Sequence, residues 1–295
     1  MGMIKVAIVG FGNIGRAAYD AVVAAPDMEL VGVVDTAAVD MPHGVRLAGD
    51  VGELGVVDLA LLCLPSRAVA DVAVKLLAAG VNTVDSYDIH GDLYDVQQRL
   101  ATAALAGGAV SVIGAGWDPG LDSVMRNLLE AASPKGITFT NFGPGMSMGH
   151  TVAVKAIAGV KKALSVTMPV GAGVHRRMVY VEVVDKNEFP AISEKIKGDP
   201  YFVKDETHVF LVEDVDSLKD MGHGVNMTRK GVSGATDNQI FTFEMRINNP
   251  ALTAQLMAAA GRAAMRQQPG SYTMIELPPV DLLPGGREAA IRRLV

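Results

Sequence analysis

Along the first 120 residues, apolar runs of strand length alternate with stretches whose small and apolar residues recur at helical spacing. Residues 4–9, IKVAIV, are almost unbroken in β-branched and apolar side chains, the pattern of a buried strand. In 16–25, Ala17, Ala21, Val22 and Ala25 share one face, which predicts a helix. Strands are expected at 28–34, weakly at 45–48 after the Pro42-His43-Gly44 loop, and strongly at 56–64. Pro65 lacks an N–H and stops that last ladder; Ser66 is placed to cap a helix at 67–79, which Gly80 ends. A strand at 81–84, a helix at 93–105 closed by Gly107-Gly108, and a strand at 109–113 follow. This alternation specifies a doubly wound parallel sheet, in which ligands lie outside the carboxyl ends of the strands.

From residue 121 the pattern changes. A helix is expected at 121–132, ending at Ser133-Pro134-Lys135-Gly136. Strand-like runs then dominate, at 137–142, 163–170, 178–184, 208–212, 225–230 and 239–247, with a helix candidate at 192–197. Helical periodicity returns at 251–267, introduced by Asn249-Pro250, with a strand at 272–277. The expected fold class is therefore α/β, a Rossmann-type doubly wound parallel sheet over 1–120, with a second, mixed α+β domain over 121–250. The segment 251–295 is expected to return toward the first domain.

The turn after the first strand reads Gly10-Phe11-Gly12-Asn13-Ile14-Gly15, the strand–turn–helix setting of a dinucleotide fingerprint. Gly10 permits the tight turn, Gly12 lets the backbone approach a pyrophosphate, and Gly15 lets the helix pack close to the strand. The open N–H groups and positive dipole end of the helix face the phosphates. Asp35 closes the second strand about 20 residues on, where the fingerprint places the group that binds ribose. A carboxylate there accepts hydrogen bonds from both ribose hydroxyls of NAD and repels the 2′-phosphate of NADP. Thr36-Ala37-Ala38-Val39 add no positive charge, so the residues themselves predict NAD over NADP. Cys63-Leu64-Pro65-Ser66, Ser86-Tyr87 and Ala115-Gly116 leave strands at the same sheet edge and are expected beside the cofactor.

Composition narrows the class. The 295 residues are 49% hydrophobic with a net charge of −6 and no basic run, which disfavours nucleic acid as a partner. The single Cys63 rules out an intrachain disulfide and suits a reducing cytoplasm. No signal peptide is expected, because glycines break the N-terminal apolar run, and Asp58 interrupts the longest candidate membrane span. The six histidines show no metal-ligand spacing, so no metal site is expected.

Asp88 and Asp118 both lie just past strand ends on the cofactor edge. Two carboxylates there can grip an ammonium group and present its Cα–H to the nicotinamide, although Asp118 before Pro119-Gly120 also suits a helix N-terminus. Trp117 walls a pocket or fills core. The segment 141–150 is glycine-rich after a strand; with no helix start or Lys in P-loop register, it reads as a backbone-lined substrate loop. In His175-Arg176-Arg177, at the opening of a strand, Arg177 offers a planar fork for a carboxylate. His223, in a Met221-Gly222-His223-Gly224 loop, and Thr167 and Asn249 are further polar pocket candidates.

These segments together resemble the meso-diaminopimelate D-dehydrogenase family. The resemblance is carried by residues 9–16, 26–32, 83–88, the Gly116-Trp117-Asp118-Pro119-Gly120 and Phe142-Gly143-Pro144-Gly145-Met146-Ser147 motifs, the His175–Arg177 step and Asn248-Asn249-Pro250, and covers essentially the whole chain. It implies reversible oxidative deamination of the D-centre of meso-2,6-diaminopimelate to L-2-amino-6-oxopimelate and ammonia, the reverse direction supplying lysine and cell-wall precursors. It implies that Asp88 and Asp118 hold the reacting amino group and that Trp117, Phe142 and the Met148-Gly149 backbone line that end. Thr167, Arg177, His223 and Asn249 would fix the distal L-centre, with Arg177 on its carboxylate. It further implies a homodimer whose second domain binds substrate, closes over it and dimerises. The short 167–177 stretch resembles the branch that accepts other D-amino acids too. The family usually carries Arg where this chain has Asp35-Thr36, and uses NADP, so family default and residue chemistry disagree here. Two rival readings share the scaffold: a ketimine or dihydrodipicolinate-type reductase, and a non-enzymatic nucleotide-binding redox sensor.

Overall fold

The computed structural model describes residues 2–37, 40–218 and 222–295. Ala38, Val39 and Met221 of the motifs above lie outside the described residues. The chain divides into two compact units, Met1–Asn127 with Pro250–Val295, and Leu128–Asn249. They part inside a helix, beyond the 120/121 boundary read from sequence, and residues 250–295 belong to the first unit.

The first unit is built on a seven-stranded sheet. Its strands are β1 (Ile4–Val9), β2 (Met28–Val34), β3 (Leu47–Ala48), β4 (Leu59–Leu62), β5 (Asn82–Asp85) and β6 (Val110–Val112), joined by a C-terminal strand (Gly270–Tyr272). Every strand pairing in it is parallel. From β1 the chain winds outward through β2 to β3 on one side and through β4 and β5 to β6 on the other. The sheet thus has its topological switch point between β1 and β4, where such folds bind nucleotides.

Alternate residues of β1 and β4 feed two cores. Val6, Ile8, Leu59 and Leu61 pack on one face with Ala18 and Val22 of α1 (Asn13–Val23). Ala7, Val9, Ala60 and Leu62 pack on the other with Val69, Ala73 and Leu77 of α2 (Ser66–Ala78) and Leu100 and Ala104 of α3 (Leu93–Gly107). Burial on both faces is why these strands read as continuous apolar runs. α4 (Leu121–Ala132) leads into the second unit.

That unit holds two sheets. One orders β11 (Glu206–Leu211), β10 (Val174–Val183), β9 (Val160–Gly171) and β8 (Gly145–Met146). The other orders β13 (Thr236–Asn248), β12 (Gly222–Ser233) and β7 (Lys135–Phe142). α5 (Met148–Lys155) and α6 (Phe189–Gly198) pack Val154, Ile192 and Ile196 against Ala163, Val179 and Val181. In the first unit again, α7 (Asn249–Ala264) buries Ala254, Met257 and Ala258 with β1 and β4; β14 is the Gly270–Tyr272 strand, and α8 (Arg287–Leu294) ends the chain. Among the described residues no helix is long and apolar enough to cross a membrane.

Several expectations need correction. The 56–64 strand shrinks to β4, because the Asp58 carboxylate accepts the Lys5 amide at 2.9 Å and ends the ladder on that side. Ser66 is the first residue of α2, not its cap; Pro65 takes the cap position and the Ser66 hydroxyl goes to Asp88. A helix, α5, does start directly after Ser147, where a loop was expected, so Met148 and Gly149 form its first turn. His223 lies in β12 rather than in a loop, paired with Ile247. The expected 272–277 strand stops at Tyr272 and turns into a 3-10 helix at Met274–Glu276. There the Thr273 amide and hydroxyl both donate to Glu276 Oε2, at 2.7 and 2.8 Å. The expected 251–267 helix begins at Asn249 and ends at Ala264.

Candidate functional site

The fingerprint closes tightly on the protein and opens toward ligand space. A Cβ on Gly10 would lie 2.6 Å from the Cys63 carbonyl oxygen, and its φ of +91° favours glycine. A Cβ on Gly15 would sit 2.1 Å from the Gly10 oxygen, so helix and strand meet there too closely for any side chain. A Cβ on Gly12 would meet nothing within 4 Å, and no side chain caps α1 at this residue. These features fit a dinucleotide: the first turn of α1 can donate its N–H groups to a pyrophosphate. Asp35 Oδ2 accepts the Phe11 amide at 2.8 Å, and Oδ1 accepts the Ala37 amide at 2.9 Å. These backbone bonds hold its carboxyl below the usual range, so it stays anionic where the ribose hydroxyls would lie. Thr36 beside it is exposed. At the neighbouring switch-point strand, burial pushes the half-buried Cys63 thiol up to about 12, against thiolate formation. Leu64 is half-buried between Cys63 and the exposed Pro65, at the foot of α2.

Asp88 and Asp118 stand on the loops that leave β5 and β6. Asp85, fully buried at the end of β5, ties these loops together. Its Oδ1 accepts the amides of Tyr87 at 2.9 Å and Gly114 at 3.1 Å, and its carbonyl accepts that of Ala115 at 2.7 Å. Its Oδ2 finds no partner among the described residues, and burial raises its carboxyl to about 6. Asp88 is exposed; its Oδ1 accepts the Ser66 hydroxyl at 2.5 Å and its amide donates back to that hydroxyl at 3.2 Å. The Asp118 side chain is only 20% exposed, and His90 Nε2 stands 3.7 Å from its Oδ1. Burial, reinforced by the neighbouring carboxyl of Asp122 and by Asp88, raises the Asp118 carboxyl well above the ordinary range. Asp122, wholly buried in the first turn of α4, is bonded by Arg126 at 3.1 Å. Trp117 is buried beside Asp118, with Gly116 in isolated bridge contact with Gly120.

In the second unit the polar candidates converge on Arg177. β9 and β10 pair Thr167 directly with Arg177, and the Arg177 Nη1 donates to the Thr167 hydroxyl. Its Nε donates to Asp205 at 2.6 Å, in a pair only 14% and 25% exposed. Three imidazoles feel the Arg177 charge. His150, His175 and His223 are all pushed down, first by burial and then by that guanidinium, His150 to about 4. All three are therefore neutral near pH 7. His175 Nε2 accepts the Phe142 amide at 2.7 Å, and His150 Nδ1 shares a hydrogen bond with the Ser147 hydroxyl. His223 Nδ1 stands 2.7 Å from the Gly224 amide nitrogen and 3.1 Å from the Gly224 carbonyl oxygen. His223 lines a cavity of about 400 Å³ together with Gly143, Pro144 and Asn226.

The structure thus brings Thr167 and His223 within reach of the Arg177 charge, with Phe142 bonded to His175, and sets Asp88, Trp117 and Asp118 on linked loops. Met148 and Gly149 precede His150 in α5, and Asn249 opens α7. Sequence reasoning missed Asp205, His90, Asp122 and the bridging role of Asp85. Asp85 alone carried a signal, as a strand-end carboxylate preceding Ser86-Tyr87-Asp88.

Residues 116–175 match the model of the diaminopimelic acid dehydrogenase C-terminal domain. The chain is 58% identical to meso-diaminopimelate D-dehydrogenase of Bacteroides fragilis, over all of both chains. Its fold is similar to that of Corynebacterium glutamicum diaminopimelate dehydrogenase in complex with diaminopimelate, with a TM-score of 0.91, 31% identity and full coverage of both chains. It is also similar to an engineered D-amino acid dehydrogenase bound to NADP+, with a TM-score of 0.85 and 30% identity over 99% of this chain and all of that one. At 58% identity over its whole length, and with the same fold, this chain belongs to the meso-diaminopimelate D-dehydrogenase family.

Proposed function

We propose that this chain catalyses the reversible oxidative deamination of meso-2,6-diaminopimelate at its D-centre, giving L-2-amino-6-oxopimelate and ammonia, with NAD preferred over NADP. The observation that carries the reading is the pair of carboxylates, Asp88 and Asp118, held on adjacent loops at the nucleotide-binding edge by one buried carboxylate. The full-length likeness to diaminopimelate dehydrogenases supports the substrate class.

In this reading Asp88 and Asp118 hold the ammonium of the D-centre by charge-assisted hydrogen bonds and so orient its Cα–H. Trp117, Phe142 and the first turn of α5 at Met148-Gly149 line that end. Arg177, preset by Thr167 and Asp205, takes the distal carboxylate, with His223 and Asn249 as further donors. A bound nicotinamide supplies the hydride acceptor. The glycine turn takes its pyrophosphate and Asp35 its ribose hydroxyls. Ser66, Ser86, Tyr87, Ala115 and Gly116 flank it. Among the described residues no group of His, Cys, Asp and Glu stands together as a metal site, and the proposed chemistry uses none. The working form is a homodimer, which sedimentation velocity tests directly.

The test of the function is reduction of NAD and of NADP with meso-diaminopimelate, the LL isomer serving as control. Reduction with the meso form alone supports D-centre chemistry, and the faster coenzyme reports on Asp35. No reduction with either coenzyme sinks the reading and brings the reductase and sensor alternatives forward.

A further inference from the structure

We propose that His90 is the proton outlet of the carboxylate pair, a positioning residue that collects, through Asp118, the proton the substrate ammonium sheds before hydride transfer. The proposal rests on the reading of Asp88 and Asp118 as ammonium ligands. The reaction demands such an outlet. The ammonium must first become an amine, R₂CH–NH₃⁺ giving R₂CH–NH₂ and a proton, because the nitrogen lone pair forms the C=N bond as the Cα–H pair leaves. The iminium then adds water and releases ammonium, so each turnover delivers one proton to solvent.

Among the described neighbours of Asp118, His90 is the exposed group not already committed to the ammonium. Asp122 shares a hydrogen bond with Asp118, but it is wholly buried and bonded to Arg126, so a proton passed there does not reach water. Arg126 has no acceptor atom. Asp88 engages the same ammonium and already accepts the Ser66 hydroxyl. His90 is the remaining neighbour, with Nε2 3.7 Å from Asp118 Oδ1 and its side chain 60% exposed. It therefore touches the half-buried carboxylate at one end and water at the other. A small rotation of the exposed ring, or one bridging water, closes the contact. An imidazole is the side chain suited to accept and release a proton near neutrality. The N–H bond of the ammonium breaks toward Asp118, the Asp118 proton passes to His90 Nε2, and His90 yields it to water or buffer. A carboxyl raised above its ordinary range, as Asp118 is, holds that proton long enough to pass it on.

His90→Gln tests this, since an exposed position tolerates the change without loss of fold. Deamination of meso-diaminopimelate is followed from about pH 6 to about pH 10 with saturating coenzyme. The expected result is a kcat lower by about tenfold near neutrality, a gap that narrows as hydroxide takes over, and recovery on adding imidazole, with KM unchanged. A kcat and pH profile equal to those of the parent, or a loss that neither imidazole nor alkali restores, overturns the proposal. Asp118→Asn, measured alongside, separates the two claims. A raised KM there with an unaffected His90→Gln removes the outlet alone, whereas an unchanged KM removes the ligand reading beneath it.

Discussion

The Asp35 carboxylate accepts the Phe11 amide at 2.8 Å, which fixes a negative charge against the glycine turn that would carry a pyrophosphate. Its second oxygen is bonded to the Ala37 amide, so the side chain is aimed before any ligand arrives. A 2′-phosphate entering this corner meets an anion and loses the Arg contact that the family resemblance leads one to expect.

The proposed NAD preference should therefore reverse on changing the two residues that make this corner. Asp35→Ser combined with Thr36→Arg removes the repulsion and supplies a charge-assisted donor, each worth about 1.5–3 kcal/mol. The ratio of kcat/KM for NADP over NAD should rise by about a hundredfold or more in initial-rate assays. A parent enzyme that already uses NADP far better than NAD would show that Asp35 does not set the choice.

Asp118→Asn should raise KM for meso-diaminopimelate by about ten- to a hundredfold, the loss of one charge-assisted bond to an ammonium, with coenzyme affinity unchanged. The parent should carry a matching pH signature. The Asp118 carboxyl is raised by burial and by Asp122, so its ionised, ammonium-binding form is lost as pH falls through that raised value. Apparent affinity for substrate should weaken on the acid side earlier than an ordinary aspartate would allow. That limb should vanish in Asp118→Asn; its persistence there would assign it to another group.

Arg177→Ala should cripple turnover of diaminopimelate while affecting D-alanine, which has no distal carboxylate, far less. Arg177→Lys should recover little, because a single ammonium cannot serve Thr167, Asp205 and a carboxylate as a planar fork does. Comparable losses on both substrates would place Arg177 in folding rather than in recognition.

Asp85→Ala strips two buried amides, those of Tyr87 and Gly114, of their acceptor. A destabilisation of about 2 kcal/mol or more is expected in denaturant titrations, with a raised KM because both acidic loops lose their common anchor. Asp85→Asn keeps one oxygen acceptor and should restore most of both. An alanine variant as stable and as tight-binding as the parent would end the anchoring argument.

Acid should loosen the C-terminal segment through Asp281. This wholly buried carboxylate takes Arg287 at 2.6 and 2.8 Å and Arg266 at 2.8 Å, and these guanidiniums hold its carboxyl at about 2, against 3.8 for the ordinary group. A depressed folded-state value means the stabilisation is complete above about pH 4 and disappears as pH falls toward 2. Acid-unfolding curves of Asp281→Asn should show that part of the pH dependence missing; superimposable curves would refute it.

What the sequence determined by itself were the features written in local pattern. Continuous apolar runs at 4–9 and 28–34, helical spacing in 93–105 and the glycines at 10, 12 and 15 specify the parallel sheet and its turn, because both faces of each strand are buried and no side chain fits the closest approaches. The positions of Asp35, Asp88 and Asp118 past strand ends were legible for the same reason: in a doubly wound sheet, strand ends gather at one edge. Tertiary structure decided the rest. That Ser66 would leave its cap position for Asp88, that His223 would enter a strand, and that Asp205 would pair with Arg177 depend on chain segments distant in sequence. So do the burial that raises Asp118 and Asp85 and the approach of His90 to within 3.7 Å of Asp118. Side-chain partners and desolvation are properties of the packed chain, and no spacing of residue types along it encodes them.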